Sequence, residues 1–313
     1  FMKSLFFCFS ILLCNVLTYG QNINRCYTDE YINNNKALKE AYNKTFIEAK
    51  NHINKKRSNE VYKIPVVVHI VYENNTENLD DSLAYSQIEV LNEDFRRFND
   101  DTINTRIEFD SIAADTRIEF FLATIDPDGN PTTGITRTQS TQSSFVFPMD
   151  MVKSSSSGGV DAWPVNRYLN IWVCDLSLLG TPFILGFAYP PLNAPNWPAG
   201  SVPTDSLNDG VVIHYEVFGR DNPLANLSFG GSSVIADKGR TCVHEVGHYL
   251  GLRHIWGDGD CSEDDGINDT PLSDSQSDFD CNMSKNTCQD SIYNYPDMIE
   301  NYMDYSADNC MNM

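Results

Sequence analysis

The segment TCVHEVGHYLGLRH, Thr241 to His254, holds three of the six histidines of a 313-residue sequence. Types and spacing together suggest metal chemistry. His244 and His248 are four apart, so on a helix both imidazoles leave the same face. Neutral imidazoles placed this way reach one Zn²⁺ at roughly 2.0–2.1 Å each. Glu245 stands next to a ligand without being one, where it can take a proton from an attacking water. A third imidazole further along a straight helix would point away, but Gly251 permits the positive φ of a sharp turn, and His254 can return. Three protein ligands with a fourth position open describe a catalytic zinc, not a structural one. The competing explanation, core histidines that match by chance, must account for His-Glu-x-x-His-x-x-Gly-x-x-His in full.

A site of this kind needs a scaffold. EVYKIPVVVHIVYE is dense in β-branched residues and reads as a buried strand. SQIEVLNEDFRRFN places Ile88, Leu91, Phe95 and Phe98 at helical spacing. RIEFFLATID, RYLNIWVCDL and GVVIHYEVFG are further strands, and ILGFAYP is a short one that Pro190 confines to an edge. STQSSFVFPMDMVKSSSSGG and PPLNAPNWPAGSVPTDSLNDG read as loops, and the zinc-motif helix is expected to start near Ala236. The pattern is α+β.

Composition limits the function. Net charge is −21 at 41% hydrophobic content, which fits a globular protein and argues against nucleic-acid binding. Lys3, the apolar run LFFCFSILLCNVL and the small residue Gly20 read as a signal peptide over residues 1–20, so export is expected. No later segment is apolar enough to span a membrane. Residues 21–57 form a polar leader that contains NKALKEAYNKTFIEAKNHINKKR, a helical reading that ends in Lys55-Lys56-Arg57. A pro-segment with a processing point is one account of it, and an ordinary N-terminal helix is the other. The remaining residues, 58–313, form the principal domain.

With export, seven cysteines stay in the exported chain: Cys26, Cys174, Cys242, Cys261, Cys281, Cys288 and Cys310. Four crowd the C-terminal third, and among them three pairings are open. Cys174 in an apolar strand and Cys242 at a helix start read as buried thiols. Cys26 stands alone in the leader.

The zinc motif together with ENYMDYSADNC, which supplies Met303 and Tyr305, resembles the metzincin metallopeptidases, whose motif is followed by a methionine-bearing turn. Asn-x-Met-Asp-Tyr, and Ile255 after the third histidine, resemble the pappalysin-type branch, peptidase family M43. This resemblance covers roughly residues 60–313. It implies a metzincin-type zincin fold: a twisted, mostly parallel five-stranded sheet with an antiparallel edge strand, a backing helix, an active-site helix and a loop-rich C-terminal subdomain. It also implies a calcium loop in GDGDCSEDDGINDTPLSDSQSDFDC, with Asp265, the Asn268 carbonyl and Thr270 as oxygen ligands. The acids Asp258, Asp260, Glu263, Asp264, Asp265 and Asp269 then repel one another less, although a merely solvated loop is the alternative. The family's crossed bridges correspond to Cys261–Cys288 and Cys281–Cys310. Because family members continue into a C-terminal helix, a chain ending at CMNM is expected to be truncated.

The resulting expectation is a secreted zinc endopeptidase acting on protein or peptide substrates, with no membrane span and an oligomeric state left open. His244, His248 and His254 hold zinc, Glu245 is the base, and by resemblance Tyr305 binds the oxyanion while Met303 forms a packing floor. Substrate lies along Gly186, Phe187, Ala188 and Tyr189. Cys26 either caps the zinc of a latent precursor or is an unpaired thiol without a role. Two rivals remain. A catalytically silent zinc-containing adhesin would not need Glu245, and a structural-zinc domain would need a fourth permanent ligand.

Overall fold

The computed structural model describes residues 23–34, 36, 39, 40, 43, 60–191, 209–229, 232–289 and 294–313. The signal-peptide reading, the tribasic triplet and most of the leader's helical reading lie outside these residues. In chain order the elements are β1 (Asn24–Cys26), α1 (Thr28–Asn34), β2 (Tyr62–Tyr72), α2 (Asp81–Phe95), β3 (Ile118–Leu122), β4 (Ile135–Gln139), β5 (Leu169–Cys174), β6 (Ser177–Leu178), β7 (Thr181–Pro182), β8 (Ile184–Tyr189), β9 (Gly210–His214), β10 (Asn226–Phe229), β11 (Ser232–Ile235) and α3 (Arg240–Tyr249). A short 3₁₀ helix at Met149–Lys153 interrupts the first expected loop.

The main sheet runs β1-β8-β9-β5-β2-β3, and β4 also pairs with β2. All five expected strands are present. The sheet has seven for two reasons. The long β2 meets β3 along Tyr62–Val66 and β4 along Val68–Tyr72, so two short strands share one side of it. The leader adds the other, since β1 lies parallel to β8 with Cys26 opposite Gly186. β8 is antiparallel to β9 as expected, but β1 covers its outer edge.

The central strands are buried on both faces, as parallel sheets require. Val66, Val68 and Ile70 of β2 pack toward Val90, Leu91 and Phe95 of α2 and Val243 and Val246 of α3. On the opposite face Val71, Trp172, Phe187 and Val212 pack against Phe145, Val146 and Val152. Phe98, expected on the α2 stripe, is 64% exposed, because the helix ends at Phe95 and Arg97 takes a positive φ.

Helix α3 starts at Arg240, four residues later than expected, because the chain is still leaving a hairpin: Ala236 N–H donates to Ala225 O at 3.1 Å. Gly239 then turns with φ 73° against Gln87 of α2, whose amide donates to Gly239 O at 3.0 Å. Arg240 ties this end to α2 and beyond through Asp94 and Asp101. The motif helix is thus held at its start by α2 and along its length by the sheet.

Candidate active site

Every residue of α3 is buried, and the three motif histidines converge. The Nε2 atoms of His244 and His248 are 3.0 Å apart, those of His248 and His254 3.0 Å, and those of His244 and His254 3.2 Å. Their Nδ1 atoms each face an acceptor: Tyr302 O at 2.7 Å, Leu252 O at 2.9 Å, and Asp258 Oδ1 at 2.8 Å for His254. An acceptor at Nδ1 places the ring proton there and leaves the Nε2 lone pair free. Three lone pairs therefore point at one another, an arrangement that a cation relieves. Tetrahedral ligands at roughly 2.0–2.1 Å from zinc lie about 3.3 Å apart, so the donor set fits that ion.

The turn after α3 forms as the spacing requires. Gly251 takes φ 98°, its N–H donates to His248 O, and Leu252 N–H donates to Gly247 O. Glycine has a second use at Gly247, where an added methyl would lie 2.5 Å from Met303 Sδ. The methionine of the downstream turn thus fits directly beneath the helix, with Leu252, Ile255, Trp256 and Tyr305 around it.

Glu245 is fully buried and aimed under β8: an added methyl at Gly186 would lie 2.8 Å from its Cγ. Burial pushes its carboxyl up to about 8. Burial likewise lowers His248 to about 3 and His244 well below the usual imidazole range, so both favour the neutral, ligating form. Burial also opposes charge on His254, but Asp29 and Asp258 outweigh it and raise His254, so at this ring a metal cation takes the place of the second proton at Nε2. Tyr305 packs its ring against His244, His254 and Trp256 and donates its hydroxyl to Cys26 O at 3.3 Å.

The leader enters this site. Cys26 Sγ and the three imidazoles offer ligand atoms all within 4.8 Å of one another, and Sγ is 3.4 Å from Glu245 Oε2. Burial first, then the charge of Glu245, hold its thiol well above the usual range, a balance that a cation reverses. Thr28 bonds both Ala188 and Glu245, and Asp29 meets His254 Nδ1. Of the stretch Gly186–Tyr189, the leader therefore occupies the backbone at Gly186 and Ala188.

The expected bridges, Cys261–Cys288 and Cys281–Cys310, are both formed, and Cys26, Cys174 and Cys242 are buried free thiols. Asp265 is buried, its carboxylate accepts Ile267 N–H at 2.7 Å, and burial pushes it up to about 7. Asp258 needs correction: counted with the acidic loop, it instead turns inward to orient His254. Its position four residues after His254 was a usable signal. Trp256, stacked on His254 at 4.2 Å, and the leader contacts of Arg25, Thr28 and Asp29 carried no comparable pattern.

A family model described as pregnancy-associated plasma protein-A, peptidase M43, matches residues 202–313. An extracellular metalloprotease of Arthroderma gypseum is 29% identical over 247 residues, which are 78% of this chain and 65% of that protein. The chain thus spans less than two thirds of that relative. Mature mirolysin of Tannerella forsythia, solved with a cleaved peptide, is 46% identical at TM-score 0.69, covering 82% of this chain and 88% of that one. A promirolysin mutant of Tannerella forsythia is 42% identical at TM-score 0.74, covering 93% and 89%.

Proposed function

This chain belongs to the pappalysin-type metzincins, peptidase family M43, and on that premise we propose that it is a secreted zinc-dependent endopeptidase held latent by its own leader. The observation that carries the activity is the convergence of three Nε2 lone pairs beside the buried carboxylate of Glu245. A Zn²⁺ held by His244, His248 and His254 would supply a Lewis acid and lower the pKa of water. Glu245 takes a proton from the attacking water and passes it to the leaving amine. The Tyr305 hydroxyl, which donates to a leader carbonyl in the latent form, donates to the tetrahedral oxyanion once substrate replaces the leader. Gly186 to Tyr189 bind an extended substrate through backbone hydrogen bonds, the same edge that β1 occupies. A silent adhesin would have no use for a base and a phenol at the same point.

Latency rests on Cys26, whose thiolate would occupy the fourth zinc position and exclude water. The leader extends over residues 21–57 in this reading, with cleavage near Lys55-Lys56-Arg57. Export is supported by relatives named as extracellular metalloproteases; no helix among the described residues is long and apolar enough to cross a membrane. Casein cleavage by the processed protein is expected to vanish with a zinc chelator and return with added Zn²⁺. Cleavage that survives complete zinc removal overturns the proposal.

The loop after His254 takes Ca²⁺ in this reading, through the Asp265 carboxylate, the Thr270 hydroxyl and the Asn268 carbonyl. The support is a buried carboxylate that burial and the neighbouring charges of Asp264 and Asp269 push up, which a divalent cation would offset. Calcium removal with zinc kept saturated should lower the melting temperature and speed autolysis, and Asp265→Ala should reproduce both. Melting curves that ignore calcium would leave the loop solvated and without an ion.

A further inference from the structure

On the face of the main sheet away from α3, one ammonium is buried among aromatic rings. Lys153 ends the 3₁₀ helix Met149–Lys153 and is fully buried. Its Nζ lies 4.2 Å from the centre of the Tyr189 ring and 5.3 Å from those of Phe187 and Trp172. The cage is held in place by backbone: Val160 N–H donates to Val152 O at 2.9 Å, and the Trp172 indole N–H donates to Val160 O at 2.9 Å. Among the described residues, two carboxylates act on the ammonium. Asp150 is 3.9 Å away on the same turn, and Asp209 is buried directly ahead of β9. Asp209 also accepts the hydroxyl of Tyr249, the last residue of α3. Lys153 has no place in the chemistry above, yet two rings of its cage belong to β8.

We infer that Lys153 is a positioning residue for substrate binding: its ammonium holds the rings of Phe187 and Tyr189 and so fixes the line of β8 backbone along which an extended peptide pairs. This rests on the peptidase reading above. Burying a charge is costly, and a methionine of similar length would fill the same space without that cost, so the cage needs a reason to hold a cation. Attraction between a desolvated ammonium and aromatic faces is one that an apolar side chain cannot replace. The outer backbone groups of β8 are those a substrate strand would use, and a shift of the two rings moves them. Asp209 stands opposite the end of this segment, since Gly210 after it pairs with Tyr189. The cation thereby ties the edge strand to its inner neighbour as well.

Burial lowers the ammonium from an ordinary 10.5 to about 8, while Asp150 and Asp209 oppose the fall. The lysine is thus a cation at neutral pH and loses its charge in the alkaline range. Stability and binding then respond oppositely. Because the folded value lies below the unfolded one, the unfolded chain keeps the proton longer, and between about 8 and 10.5 this group's contribution to stability rises with pH. Substrate affinity, which depends on the charge, falls over the same window.

The test uses the processed, zinc-loaded protein and a peptide taken from a casein cleavage site mapped by mass spectrometry. A long version spans the edge, and a short version keeps only the residues flanking the cut bond. Below about pH 7, Lys153→Met should raise KM for the long peptide about tenfold, with kcat within about twofold of the parent. The short peptide, with little backbone on the edge, should change by less than about twofold. Above about pH 9 the parent's KM for the long peptide should approach that of the variant, because the lysine is then neutral. The same rise, taken relative to the short peptide, is measured in the parent alone and so decides the matter even if the variant fails to fold. Over that window the melting temperature of the parent should not fall relative to the variant. Equal effects on the two peptides, a variant-to-parent KM ratio that ignores pH, or a parent whose relative melting temperature falls with its affinity would overturn the role of Lys153. Cleavage of neither peptide by the zinc-loaded parent would instead remove the peptidase reading, and this proposal with it.

Discussion

Glu245→Gln is expected to reduce peptide hydrolysis by the processed protein by about 10²–10⁴-fold, the usual contribution of a positioned general base. Zinc content should stay close to that of the parent. The geometry separates the two roles. The three imidazoles provide the converging lone pairs, whereas Glu245 points under β8, where Gly186 leaves room for it. Glutamine keeps nearly the same volume, so it can lie against Gly186 without displacing the strand, but it cannot accept the proton. Burial raises the Glu245 carboxyl to about 8 in the leader-bound form, which marks a site where its basicity is sensitive to what lies beside it. Activity should be measured after leader removal, with zinc determined on the same sample. Residual cleavage near the parent rate, with contaminants excluded by an active-site inhibitor, would falsify the assignment of Glu245 as base.

Cys26→Ala should convert a latent precursor into one that is active, or cleaves itself, before any processing. Sγ is the only leader atom that shares the zinc-ligand cluster with the three histidines, among the described residues. Without it the fourth position opens to water, although Thr28 still bonds Glu245 and Ala188 and Arg25 still holds Asp308. The expected phenotype is therefore partial release: a shortened lag before activity, followed on a gel as loss of the leader. A lag equal to that of the wild type would assign latency to steric cover and would leave Cys26 without a function.

Much of this site is legible in local sequence because its parts sit on one helix turn. His244 and His248 share a face by helical geometry, and Gly251 marks where the chain must reverse. Residues that act through distant partners left no such trace. Arg25 reads as an ordinary polar leader residue, yet it meets Asp308 across 283 positions, and Thr28 meets Glu245 across 217. Of the two strands beyond the expected five, β4 and β1, the second lacks a local signal for the same reason. Three residues, Asn-Arg-Cys, carry no strand periodicity, and β1 exists only because β8 offers an unpaired edge to complete it.

The sequence by itself pointed to the metal chemistry, the five strands and the backing helix, while the methionine turn followed only from the resemblance to the metzincins. Each of these depends on residue type at short spacing: imidazoles four apart, alternating or continuous β-branched runs, and a glycine free to take a positive φ. Tertiary structure alone decided what those parts touch. It turned Asp258 from the acidic loop toward His254, placed Met303 under Gly247, ran the leader along the outer edge of β8 and buried Arg25 against Asp308. The physical reason is that burial and ion pairing depend on distance in space, and the low-dielectric pocket that makes Arg25 and Asp308 matter is assembled from segments hundreds of residues apart.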